Sequence, residues 1–127
     1  MIIELIPLSE TYSIYKVLSA NDILKKQIYG EFFSISISDD EVSVVCKSGA
    51  IKKYVKCEPD WMGFRIKGVL NFALVGIIHQ ITKPLKENDI TVFVTSTYNT
   101  DYIFVKANRF EQSKAIFKND KNFKIVD

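Results

Sequence analysis

An α+β fold made of two small units follows from three features of the sequence. The chain has 127 residues, enough for one compact domain or two very small ones. Its second half alternates strand-like runs with two helical patterns. Its first half repeats that layout loosely, with strand-like runs around one short helical stretch. The composition, 47% hydrophobic and 25% charged, is that of a globular chain and argues against disorder.

In chain order, "IIELIPL" and "YSIYKVLS" read as strands, and "NDILKKQIY" as a short helix capped by Asn21 or Asp22. "EFFSISISDDEVSVVCKSG" reads as two strands around the turn Asp39-Asp40. Phe33, Ile35 and Ile37 alternate with Ser34 and Ser36, and Val42, Val44 and Cys46 alternate likewise. "GAIKKYVKC" then leads to Pro59-Asp60, the expected boundary between a unit 1–58 and a unit 59–127.

The second unit has clearer signals. "WMGFRIKG" puts Met62, Phe64 and Ile66 on one side of a strand and Gly63, Arg65 and Lys67 on the other. Leu74, Ile77, Ile78, Ile81 and Leu85 give the next segment one apolar helical face, with Asn71 as N-cap and Pro84 expected to kink or break the last turn. "ITVFVTS" and "DYIFVKA" form a hairpin, "RFEQSKAIFKND" a second helix and "FKIVD" a closing strand. The order β-α-β-β-α-β is ferredoxin-like. The first unit is the same plan with reduced helices, and units this small seldom bury enough apolar surface alone, so the two are expected side by side.

Several functions are argued against. Seventeen basic and fifteen acidic residues leave a net charge of +2, too weak a footprint for nucleic acid. The apolar run from Val69 to Ile78 is far shorter than the roughly 20 residues that span a bilayer. The start "MIIELIPLSE" has no basic region and is not expected to act as a signal peptide. Cys46, Cys57 and the lone His79 do not make a metal site, and no cofactor is expected; the two thiols read as reduced and cytoplasmic.

"GVLNFALVGIIHQITKPLKENDITVFVTSTYNTDYIFVK" resembles the ACT domains of small bacterial ACT-domain proteins, a group to which the arginine-sensing CASTOR proteins belong. "FFSISISDDEVSVVC" resembles the matching hairpin of their first repeat. The sequence departs at Val69 and Asn71, where that pattern has Pro and Asp. The resemblance implies tandem ACT repeats that bind a free amino acid at a repeat or subunit interface, in a homodimer with a regulatory role.

An amino acid needs donors for its carboxylate and an acceptor for its ammonium. The N–H groups of Leu70, Asn71, Phe72 and Ala73, at an expected helix start, would serve the first. Asp101 would serve the second, with Thr95, Ser96 and Thr97 as adaptable donors and acceptors, and Ser34 or Ser36 facing the ligand from the first unit. By spacing alone, such residues near strand ends more often cap turns, and the two serines more often face solvent. His79 reads as a surface residue and Trp61 as a core cover. An RNA-recognition module would need a basic, glycine-containing third strand, which "DYIFVKA" is not. An enzyme would need a partnered nucleophile or an Arg in the anion loop, which "GVLNF" lacks. The remaining alternative is an ACT-type assembly module with no ligand.

Overall fold

The computed structural model describes residues 2–68 and 75–127. Among these residues mixed α and β structure is observed, with eight strands: β1 Ile3–Pro7, β2 Tyr12–Val17, β3 Phe33–Ile37, β4 Val42–Lys47, β5 Lys56–Ile66, β6 Val92–Ser96, β7 Asp101–Lys106 and β8 Phe123–Ile125. The α-helices are α1 Ile77–Glu87 and α2 Phe110–Lys118. By its internal contacts the chain divides into two compact units, Glu10–Trp61 and Met1–Ser9 with Met62–Asp127. The first is therefore inserted into the second along the chain.

The inserted unit is antiparallel, in the order β3-β4-β2-β5. Its helical content among the described residues is two 3-10 turns, Ala20–Asp22 and Lys25–Gln27, where the sequence suggested a short helix. Ser19, not Asn21 or Asp22, caps the first of them, its hydroxyl accepting from the Asn21 N–H. Tyr15, Val17, Val44, Cys46, Ala50 and Ile51 form its core. Strand β5 runs straight through Pro59-Asp60. Between the pairs Tyr12–Trp61 and Ile14–Glu58 the register shifts, and Asp60 takes φ 69°, so the irregular composition there marks a bulge. The expected inward face of β3 is open: Ile35 and Ile37 are 39% and 68% exposed, because β3 is an edge strand and no helix of its unit covers it.

The second unit keeps the expected β5-α1-β6-β7-α2-β8 order, with β5 paired to β7 and β7 to β6. One strand arrives from the start of the chain. β1 lies between β5, to which it is antiparallel, and β8, to which it is parallel. The core is built on one face of these strands: Ile3, Leu5, Phe64, Ile66, Ile103 and Val105 against Ile77, Ile81 and Leu85 of α1 and Phe110 and Phe117 of α2. Phe64 stacks on Phe110 at 4.8 Å and meets Phe117 edge-on at 5.5 Å.

Helix α1 begins at Ile77, with Gly76 at φ 80° as its N-cap, later than Asn71 would place it. It also runs through Pro84 for three more residues. The proline sits near the C-terminal end, so only one late backbone bond is lost. The Asn88 amide donates to the Pro84 carbonyl at 2.8 Å and helps close the end.

Candidate functional site

The β6–β7 hairpin decides which of the candidate side chains can meet. Its pairs are Val92–Val105, Phe93–Phe104, Val94–Ile103, Thr95–Tyr102 and Ser96–Asp101. Ile103 and Val105 face the helices. Alternation therefore sends Ser96 and Asp101 to the helix side, and Thr95 and Tyr102 to the opposite side. Thr95, Ser96 and Asp101, grouped by sequence, are split between two faces.

On the helix side, the Ser96 hydroxyl donates to Asp101 Oδ1. The other Asp101 oxygen has no partner among the described residues. The turn itself is closed locally. The Thr97 N–H and hydroxyl both donate to the Thr100 carbonyl, at 2.8 and 3.0 Å, and the Thr97 oxygen accepts from the Thr100 N–H at 3.2 Å. Thr100 is buried, and its hydroxyl donates to the Ile66 carbonyl at 2.8 Å, fastening the hairpin end to β5. Much of the polarity of "STYNTD" thus shapes the turn; Tyr98 points out, 82% exposed.

Leu70, Asn71, Phe72 and Ala73 lie outside the described residues. In the inserted unit, Ser34 pairs with Val45 and Ser36 with Ser43 on β3, Ser34 half-buried and Ser36 exposed. His79 is exposed and Trp61 buried.

A second place was missed by the sequence reading. A cleft of about 320 Å³ is lined by Arg65, Gly68, Thr97, Asn99, Thr100 and Tyr102. Arg65 stands on the same side of β5 as Gly63, whose missing Cβ would come within 2.6 Å of the Phe104 ring. Arg65, Gly63, Tyr102 and Phe104 therefore share the sheet face opposite the helices. The signal was present in "WMGFRIKG", whose alternation already separated Arg65 from Phe64 and Ile66; what it lacked was the strand beside it. Among the described residues, no cluster of three metal-binding side chains occurs, and no helix is long and apolar enough to cross a membrane.

Comparison with known proteins bears on the fold that carries both places. Residues 56–118 match the family model of the ACT domain. A crystal structure of an Agobacterium tumefaciens protein is 30% identical, with 99% of this chain and 93% of that one covered and a TM-score of 0.85. The aspartate kinase of Clostridium acetobutylicum, an allosteric enzyme, is 13% identical with a TM-score of 0.64; 93% of this chain is covered, and it spans 34% of the kinase chain. The ligand-free regulatory subunit of aspartate kinase from Thermus thermophilus is 9% identical, with 88% and 95% covered and a TM-score of 0.57. The last two likenesses are of fold. No curated protein matches the sequence.

Proposed function

We propose, from the match of residues 56–118 to the ACT domain, that the chain is a small, non-catalytic regulatory protein that senses a free amino acid. In this reading 59–127 is the ACT repeat and 1–58 a degenerate one that lends β1 to it. The ligand ammonium pairs with Asp101, and its carboxylate rests on the N–H groups of residues 70–73. The observation that carries the reading is the Asp101 carboxylate at the turn end of the β6–β7 hairpin, oriented through one oxygen by Ser96 and, among the described residues, with the other unpaired. The likeness to a regulatory subunit supports regulation in place of catalysis. Self-association is proposed from the edge strand β3, whose Ile35 and Ile37 are exposed.

A thermal-shift screen of the amino acids, followed by calorimetry on Asp101→Asn, tests the reading. A charge-assisted contact contributes about 1.5–3 kcal/mol, so the variant should bind roughly 10- to 150-fold more weakly while staying folded. Unchanged affinity would make Asp101 a turn cap only. The local bonds of Ser96, Thr97 and Thr100 favour a second reading, an assembly module without ligand. That reading predicts no stabilisation by any amino acid, together with a dimer in sedimentation.

A further inference from the structure

We propose that the cleft at Arg65 binds the carboxylate of a small organic acid, with the Arg65 guanidinium as its anchor. The site goes beyond the amino-acid reading: it shares a face with Thr95 and Tyr102, whereas Asp101 lies on the opposite face of the same hairpin.

The charge balance of the cleft carries the argument. Among the described residues, its lining holds one cation and no carboxylate. The next cation along the chain, Lys67, has its partner in Glu4 at 3.7 Å. Arg65 is half-buried, and among the described residues its guanidinium has neither an ion pair nor a hydrogen bond. A partly desolvated guanidinium with all five N–H donors unused is matched in shape by a carboxylate, which takes two parallel hydrogen bonds from its fork. One positive charge balances one carboxylate; a phosphate dianion would call for more.

The remaining walls fit this ligand. Thr97 and Thr100 have their hydroxyls committed to backbone carbonyls, so they fix the shape of the cleft. The Asn99 amide, exposed at the tip, supplies a neutral donor. At Gly68, φ is 90° and, among the described residues, nothing lies within 4 Å of where a Cβ would stand. A volume of about 320 Å³ is at the small end of ligand sites, which run from roughly 300 to 1,000 Å³.

Amide NMR titrations of the full chain with lactate and with L-glutamate test the proposal, with inorganic phosphate and sodium chloride as controls. The expected result is saturable shifts at Gly68, Asn99 and Thr100 with both acids. Arg65→Gln should weaken them at least about tenfold, and Asp101→Asn should leave the lactate shifts unchanged. Should Arg65→Gln not fold, Arg65→Lys keeps the charge and loses the fork, and a clear weakening is expected there too. The proposal is overturned if neither acid gives saturable shifts at these residues. It is equally overturned if the shifts survive the Arg65 substitution, or if phosphate binds as tightly as the acids. Failure of the amino-acid reading shows separately, as amino-acid affinity that Asp101→Asn does not change.

Discussion

Thr100 shows how one side chain ties the candidate site to the sheet. Its hydroxyl is buried, and its only described acceptor is the Ile66 carbonyl, 34 residues away in sequence. Thr100→Val keeps the shape and deletes the donor. It should lower stability by about 1–3 kcal/mol in urea denaturation, because a buried carbonyl loses its partner; a change near zero would mean that water replaces the hydroxyl. Cys46 is a residue-scale case with a pH signature. Burial, and secondarily the neighbouring Cys57, push its thiol from 9.0 to about 12. Below pH 9 the folded and unfolded thiols are both protonated. Above it the unfolded thiol ionises while the folded one stays neutral, so stability is full below pH 9 and is lost as pH rises towards 12. Urea midpoints between pH 8 and 10 should therefore fall more steeply in the wild type than in Cys46→Ala, and equal slopes would refute the assignment.

Among the elements, β5 carries the most consequence, because its two faces do different things. Phe64 and Ile66 build the core under the helices, while Gly63 lets the Phe104 ring pass on the far side and Arg65 stands beside it. Gly63→Ala puts a methyl 2.6 Å from a fully buried ring and 3.1 Å from the Ile103 carbonyl. Overpacking of this kind costs about 1–3 kcal/mol. A melting temperature that drops in Gly63→Ala and recovers in Gly63→Ala with Phe104→Leu would confirm the contact; a drop that persists would place the strain elsewhere. The strands were legible in the sequence because a half-buried strand writes its two faces into alternate residues, as in "WMGFRIKG". The start of α1 was not, since Asn71 is a good cap by type and the backbone of Gly76, which holds the position, leaves no such mark. The division of "STYNTD" between two faces was equally hidden, because it depends on the β6–β7 register, which a polar stretch without alternating apolar residues does not specify.

At the scale of the whole molecule, the chain order and the folded units do not coincide. The sequence separates 1–58 from 59–127 by composition, yet β1 completes the sheet of the later residues. No periodicity in "IIELIPL" could reveal this, since strand pairing at long range is invisible to a local pattern. It has an experimental consequence. Ile3 and Leu5 are 3% and 0% exposed within the core that α1 and α2 cover. Burying two such side chains contributes about 3–6 kcal/mol, a large share of the roughly 5–15 kcal/mol that holds a domain together. Removing β1 also uncovers the facing edges of β5 and β8. Residues 62–127 alone should therefore fail to fold. The register Leu5–Ile66, Ile6–Arg65 and Pro7–Phe64, continued by the Leu8 N–H to the Gly63 carbonyl at 2.8 Å, brings Ser9 opposite Met62. A two-residue Asn-Gly turn joining Ser9 to Met62 would then make β1 and β5 a hairpin. Every buried member of that core lies outside Glu10–Trp61, so the shortened chain should unfold cooperatively in urea with dispersed amide resonances. A folded 62–127 without β1, or a shortened chain that stays unfolded, would show that the two units do not divide the stability in this way.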